Sequence, residues 1–416
     1  MTFPTLDAWL RALEQRHPSA IELGLARVGE VADRLGARRF AAPVITVGGT
    51  NGKGSTVATL VAIAVAAGWR VASYTSPHLL RFNERICLDG QAIADDELVA
   101  ALEAVEAARE GVSLTYFEHT TLAAFWWMQR QQPDLVVLEV GLGGRLDAVN
   151  LVDADVAVIT SVDLDHQDWL GDTREQIARE KAGIMRPGRP VVLGEREPLP
   201  VLLEAAAALT APVLVKGRDY DFAAGDSDWR WRGADTLDGL PLPQVACENA
   251  ATALAALQAL ASVSGLRAGA AAIRAGLPQA RVSGRAQRIA TAPDIWLDVG
   301  HNPHGVDFLW RQLPPAVPGQ HTHAVFAMLR DKDIAGVIAV AAPHVSHWWP
   351  AGLDVPRGCA LNELVALLRA QGIAPAGAHE TVADALAAAR QQARAGDRIV
   401  VFGSFYTVSA VLASDD

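Results

Sequence analysis

The chain of 416 residues is 50% hydrophobic and 20% charged, with a formal charge of −11 at pH 7. Such a chain is long enough for two globular domains, and its acidic balance excludes a nucleic-acid surface, which draws affinity from basic patches. A local cationic pocket for small anions remains compatible with it. Cys87, Cys247 and Cys359 are widely spaced, show no metal-ligand pattern and read as reduced thiols of a cytoplasmic protein. Charges follow soon after Met1, so no signal peptide is expected, and the apolar run 58–68 is far too short to span a bilayer.

Residues 5–16 pattern as an amphipathic helix with Leu6, Trp9, Leu10 and Leu13 on one side, and a second helical pattern closes at Leu35. From Val44, an apolar β-branched run enters Gly48-Gly49-Thr50-Asn51-Gly52-Lys53-Gly54-Ser55, and a helix follows to Gly68. Strand, glycine loop, lysine and helix together present backbone N–H groups, a helix N-terminus and a point charge to phosphate. The spacing departs from the general phosphate-loop pattern. Val47 stands at the first glycine position, and Gly54 separates Lys53 from Ser55.

Residues 70–75 read as a strand running into a proline-containing loop at Ser76-Pro77-His78-Leu79. A helix with an acidic start is expected over 95–108, and another over 120–131, whose Trp126 and Trp127 read as core. The apolar strand 134–140 carries Glu139 near its carboxyl end, where an open parallel sheet binds ligands. A carboxylate there is costly to bury unless paired or metal-bound, which favours a metal role. Behind the next strand, 155–162, Asp163, Asp165, His166 and Asp168 cluster, which makes His166 a ligand candidate. Lys181, on a helical segment, reads on sequence grounds as an ordinary solvated side chain. A further αβ repeat over 191–216, short hairpins over 220–242 and an alanine-rich helix from Glu248 precede a second domain. That domain is expected from residue 288, with strands at 295–299, 324–328 and 398–402.

The segments 49–55, Ser76 to Leu79 followed by Phe82-Asn83-Glu84-Arg85-Ile86, and Gly141 to Ala148 resemble the Mur ligase superfamily. The likeness is strongest to its folylpolyglutamate synthase and dihydrofolate synthase branch. It extends through Asp298 to His304, Leu329 to Asp333 and Gly403 to Tyr406, nearly the whole chain. The resemblance implies an α/β fold: a P-loop ATPase-type, mostly parallel sheet domain with a pterin site over 1–287, then a smaller Rossmann-like glutamate ligase domain over 288–416. It implies ATP on Thr50, Asn51, Gly52, Lys53, Gly54 and Ser55, with Asn249, Arg285 and Asp298. It implies two Mg²⁺ ions on Ser76, Glu139, His166 and Lys181, the lysine carbamylated by CO₂. Lys53, Lys181 and His301 take catalytic roles, while Glu22, Leu23, Gly24, Thr115, Tyr116, Phe117, Glu118, Leu146, Asp147 and Ala148 surround the pterin.

The implied reaction joins L-glutamate to dihydropteroate and to reduced folates through an acyl phosphate, in a monomer without nucleic-acid or membrane partners. Alternatives are folylpolyglutamate synthesis alone or another Mur-type amino-acid ligase. Cell-wall members carry an additional domain before the loop, for which the chain ahead of Val44 is too short. An ATP-responsive binding protein with a decayed site is disfavoured by the retained Lys53, Ser76, Glu139 and His166.

Overall fold

The computed structural model describes residues 3–17 and 21–413. Helix α1 (Leu6–Arg16) starts where the Thr5 hydroxyl accepts from the Ala8 amide, and it buries Leu6, Trp9 and Leu13. Helix α2 (Ala26–Leu35) stops at Gly36, which takes the left-handed φ of 64° that ends helices cheaply only with glycine. Strand β1 (Val44–Gly48), buried throughout, leads through the glycine loop into α3 (Lys53–Ala66). β2 (Val71–Tyr74), β3 (Ile86–Leu88) and β4 (Gln91–Ala92) follow. Helix α4 (Asp95–Arg109) opens on Asp95, Asp96 and Glu97, as the positive end of a helix favours.

Helix α5 (Tyr116–Arg130) begins four residues ahead of expectation because Thr115 and Glu118 form a capping box. The Thr115 hydroxyl accepts from the Glu118 amide, and the Glu118 carboxylate accepts from the Thr115 amide. Next come β5 (Leu135–Glu139), β6 (Val156–Ile159), α6 (Gln167–Leu170), α7 (Arg174–Ala182), β7 (Val191–Leu193), α8 (Pro200–Ala208) and β8 (Val213–Val215). Among the described residues these strands form an eight-stranded sheet ordered β4-β3-β2-β5-β1-β6-β7-β8, antiparallel only at the β4-β3-β2 edge. β1 lies between β5 and β6, with Val47 beside Glu139 and Gly48 beside Ile159. The glycine loop, Glu139 and the loop after β6 therefore leave the sheet side by side, at the edge where crossovers diverge and ligands bind.

The hairpins become an antiparallel sheet of β9 (Asp221–Ala224), β10 (Asp228–Arg232) and β11 (Thr236–Pro241). Trp229 and Trp231 alternate inward on β10. Helix α9 (Cys247–Ser264) is alanine-rich and buried on most sides, which lets it lie close against α3. Helix α10 (Ala270–Gly276) packs on α3 from another side. The chain divides into two compact units, Met1–Arg281 and Val282–Asp416.

The second unit contains β12 (Gln287–Thr291), β13 (Asp294–Asp298), α11 (Pro303–Gln312), β14 (Thr322–Phe326), α12 (Ile334–Ala341), β15 (His347–Pro350), α13 (Leu361–Ala370), α14 (Val382–Gln392), β16 (Arg398–Phe402) and α15 (Phe405–Leu412). Its sheet runs β12-β13-β16-β14-β15, with β12 antiparallel at one edge. β15 has no signature in the sequence, because His347-Trp348-Trp349-Pro350 has neither alternation nor length. It forms because both tryptophans are buried and the strand pairs in parallel with β14.

Gly276 marks how tightly the loop helix is held. A Cβ there would lie 2.6 Å from the Ile63 Cα and 2.7 Å from the Ala62 carbonyl oxygen, backbone atoms that cannot step aside. Gly276→Ala should therefore destabilise the fold by about 1–3 kcal/mol. A denaturant midpoint equal to that of the wild type would show that α10 yields freely.

Candidate active site

The glycine loop is shaped by two close approaches. At Gly49, φ is +146° and a Cβ would stand 1.9 Å from the Thr160 hydroxyl; at Gly52, φ is +85° and a Cβ would stand 2.4 Å from Asn249 Oδ1. Only glycine meets both demands at either position. Hydrogen bonds stitch the loop to the end of β6. The Thr50 amide donates to the Ser161 carbonyl (2.8 Å), the Asn51 amide donates to Ser161 Oγ (3.0 Å), and the Thr160 hydroxyl donates to the Asn51 carbonyl (2.6 Å). Thr50 Oγ1 also bridges the Asp163 backbone, accepting from its amide at 3.0 Å. Gly52 caps α3 without a side chain, and Gly54 and the buried Ser55 continue its first turn. Lys53 folds over this turn, donating to the carbonyls of Gly49 (3.0 Å) and Thr50 (3.3 Å). Asn249, in the first turn of α9, is buried, and among the described residues its Nδ2 has no hydrogen-bond partner.

Beside this loop, Glu139 is buried at the end of β5, and its Oε2 accepts from the Ser76 amide at 3.2 Å. A Cβ on Gly54 would lie 3.8 Å from the same oxygen, which places the carboxylate at the start of α3. His166 opens α6 on a left-handed backbone, φ +52°, with its amide donating to Asp165 Oδ1 at 2.9 Å. Among the described residues no cluster of three or more His, Cys, Asp or Glu side chains is placed to hold a metal ion. The expected set contains only two such groups, Glu139 and His166, so a serine oxygen and a modified lysine would have to complete it. Ser76 beside Glu139 supplies the oxygen chemistry that a hard divalent ion takes.

Lys181 departs from the sequence reading. The residue is only 3% exposed rather than solvated, because α7 turns it inward. Burial pushes its ammonium down to about 7; the nearby Lys53 charge adds to the shift, and Asp165 opposes it. The end of α7 also seats the segment after β5. The Arg145 amide donates to the Glu180 carbonyl (2.8 Å), and Asn150 Nδ2 donates to the carbonyls of Arg145 and Gly183, both at 3.0 Å.

Within that segment Leu146 is half-buried, and Asp147 and Ala148 are buried. Asp147 accepts from the amides of Leu142 (2.8 Å) and Val149 (2.9 Å). Burial pushes its carboxyl up to about 6, against the pull of those amides and of Lys53. The Phe117 ring lies on Gly141, where a Cβ would come within 2.5 Å of it, and 6.1 Å from the Tyr74 ring. Tyr116 meets the Phe82 ring edge-on at 6.0 Å. Glu22 is exposed, Leu23 half-buried, and Gly24 adopts φ +156°.

In the second unit, Asp298 ends β13 and is buried, accepting from the amides of Ala286 (2.8 Å) and Gly300 (2.6 Å). Burial raises its carboxyl, and Arg285 works against the shift. The Arg285 guanidinium lies 5.7 Å from the centre of the Phe405 ring, and the His301 ring 6.2 Å from it. His301 Nδ1 donates to the Val299 carbonyl at 3.0 Å.

Residues 47–217 match the Mur ligase middle domain, and residues 284–405 match the Mur ligase glutamate ligase domain. The chain belongs to the Mur ligase family. Over 408 residues, 98% of this chain and 94% of the relative, it is 44% identical to the dihydrofolate synthase/folylpolyglutamate synthase of Escherichia coli. The solved structure of E. coli FolC in complex with DHPP and ADP superposes with a TM-score of 0.94 at 45% identity, covering 99% of this chain and 98% of that one. The bifunctional folylpolyglutamate synthase/dihydrofolate synthase of Yersinia pestis, complexed with AMPPNP and Mn ion, gives a TM-score of 0.92 at 44% identity, covering 99% of this chain and 98% of that one. The expected α/β architecture, a mostly parallel first sheet followed by a smaller α/β unit, is borne out. Among the described residues no helix is long and apolar enough to cross a membrane.

Sequence reasoning passed over three contributors. Thr160 and Ser161 hold the glycine loop, and two hydroxyls closing an apolar strand were the available signal. The Arg85 guanidinium donates from Nε to His78 Nδ1 at 2.9 Å and lies 6.0 Å from the Tyr116 ring, pairings that no local spacing announces.

The Lys181 shift gives a signed expectation. The unfolded chain keeps this proton up to about 10.5, whereas the folded chain releases it near 7. Between those values unfolding takes up a proton, so the lysine's penalty to stability shrinks as pH rises and is constant below 7. In CO₂-free buffer the stability of the wild type relative to Lys181→Met should climb from pH 7 to 9 by on the order of 1 kcal/mol per pH unit. A difference that stays flat across that range would mean that the ammonium is solvated.

Proposed function

We propose that this chain is an ATP-dependent ligase that joins the α-amino group of L-glutamate to the carboxylate of dihydropteroate and of reduced folates. The observation that carries the reading is the meeting, at one sheet edge, of a glycine loop with Lys53, a buried Glu139 and a buried Lys181. Family membership over nearly the whole chain supports it.

An acceptor carboxylate oxygen attacks the γ-phosphorus of ATP, the bond to ADP breaks, and an acyl phosphate forms. The glutamate amine then attacks the acyl carbon, loses a proton, and inorganic phosphate leaves. Phosphoryl transfer asks for positioning and charge neutralisation. Thr50 to Ser55 supply amides and the α3 N-terminus, and Lys53 swings its ammonium from loop carbonyls to phosphate oxygens. Asn249, whose buried Nδ2 has no hydrogen-bond partner among the described residues, faces the loop at Gly52 and is assigned to the nucleotide. Ser76, Glu139, His166 and carbamylated Lys181 would hold two Mg²⁺ ions, which when bound neutralise charge on the transferring phosphoryl group. Carbamylation needs a neutral amine, and a lysine held near 7 supplies one at neutral pH.

Glu22 to Gly24, Thr115 to Glu118 and Leu146 to Ala148 are assigned to the pterin. Arg285, Asp298 and His301 are assigned to the nucleotide and ligase chemistry of the second unit, and the two units to ATP-plus-acceptor and glutamate-ligase parts. A monomeric, cytoplasmic enzyme fits three free cysteines, Cys87, Cys247 and Cys359.

Glutamate-dependent ADP release should appear with dihydropteroate and with tetrahydrofolate, and Lys53→Ala should lower both by at least about 100-fold. Turnover with tetrahydrofolate alone would restrict the enzyme to polyglutamylation; near-normal turnover of folded Lys53→Ala would remove the loop from the mechanism.

Lys181 separates two chemical roles. Lys181→Ala deletes the anion that a carbamate provides and leaves a gap, so acetate or propionate should restore part of the lost rate. Lys181→Arg keeps a fixed cation in that space and should resist rescue. Rescue of neither variant, with a high-resolution crystallographic map showing an unmodified Lys181 at saturating CO₂, would leave Lys181 as a plain cation.

A further inference from the structure

We propose that Arg27 is a positioning residue that locks two walls of the acceptor pocket to each other. The inference rests on the reading that residues 22–24 and 115–118 hold the acceptor. Arg27 lies in the first turn of α2, just after the Glu22 to Gly24 segment. Its Nη1 pairs with the Glu22 carboxylate. Its Nη2 donates to both oxygens of Glu118, at 2.8 and 3.0 Å. Glu22 is also held at 3.1 Å by His17 Nε2.

Glu118 is a buried carboxylate with its own duty. It accepts from the Thr115 amide at 2.8 Å and so closes the capping box that starts α5. One guanidinium thus joins a surface segment to the turn that carries Tyr116 and Phe117. Phe117 is placed in turn on Gly141, at the head of the segment containing Leu146 to Ala148. The pairing is of the kind that fixes geometry. A planar fork meets two carboxylates at once, and the buried one would be left uncompensated without it. A lysine could satisfy Glu118 but not reach both partners as a fork. Among the described residues the other contact of the Glu118 carboxylate is the Thr115 amide, so no second side chain replaces Arg27.

Displacement of either wall weakens acceptor binding while leaving the phosphate machinery intact. With Arg27→Met, the KM for dihydropteroate should rise about tenfold or more, with kcat within about threefold and the KM values for ATP and glutamate unchanged. Arg27→Lys should fall between Met and wild type. Glu22→Gln cuts only the surface arm of the network and should raise the acceptor KM by a smaller factor; it serves if Arg27→Met does not fold. Amide exchange over 21–25 should accelerate in each variant. An unchanged acceptor KM in Arg27→Met and Glu22→Gln, or an equal rise for all three substrates, would overturn the proposal. If the wild type itself releases no ADP in response to an acceptor, the ligase reading fails instead, and unchanged exchange over 21–25 would still refute the lock.

Discussion

The Lys53 charge, close enough to help lower the pKa of the buried Lys181, sets the terms for the first unit. Lys53 lies over the glycine loop and Lys181 is buried on α7, where the Lys53 charge helps bring its pKa down to about 7. Like charges at low dielectric repel strongly, so such a pair persists only where anions are supplied or a proton is given up. The fold supplies Asp165, whose charge opposes the Lys181 shift, and Asp147, which feels Lys53. Bound phosphates would add negative charge at the same place. A pocket poised in this way selects polyanions even on a chain whose net charge is −11.

The strand order makes this arrangement possible. Because β1 sits between β5 and β6, the loop after each emerges beside the others, although the three come from distant parts of the sequence. Backbone-directed hydrogen bonds from the hydroxyls of Thr50, Thr160 and Ser161 then fix the glycine loop before any ligand arrives. Preorganised N–H groups need no rearrangement when charge develops, which is where such a site gains most of its rate. Gly49 and Gly52 are as much part of that preorganisation as Lys53, since a Cβ at either would collide with Thr160 or Asn249.

Much of this was legible in the sequence, and for identifiable reasons. The apolar runs at β1, β5 and β6 announce buried parallel strands, and a lone carboxylate at the end of β5 announces a site, because burial of Glu139 needs a reason. Local signals failed where the deciding contact is remote. The start of α5 at Tyr116 depends on a capping box readable only as Thr-x-x-Glu, and the apolar periodicity drew attention further along. β15 exists through tertiary burial of Trp348 and Trp349 rather than through pattern. The burial of Lys181 depends on how α7 packs, and Arg27 gains its meaning from Glu118, 91 residues away. Periodicity reports which face of an element is apolar; it does not report which distant charge will meet it.

Asp147 and Asp298 show the same physical solution reached separately in the two units. Each is a buried carboxylate near the carboxyl end of its sheet, held by two backbone amides, with its pKa raised by burial and a cation pulling the other way. The amides orient the oxygens while the opposing terms keep protonation sensitive to whatever binds nearby. An arriving anion would favour the protonated acid, and an arriving cation the carboxylate. For Asp147, whose pKa of about 6 lies within reach of neutral pH, that sensitivity has a direction. Phosphates drawn to Lys53 would screen the smallest of the influences that lower its pKa, a shift toward the protonated acid that remains secondary to burial and the backbone amides.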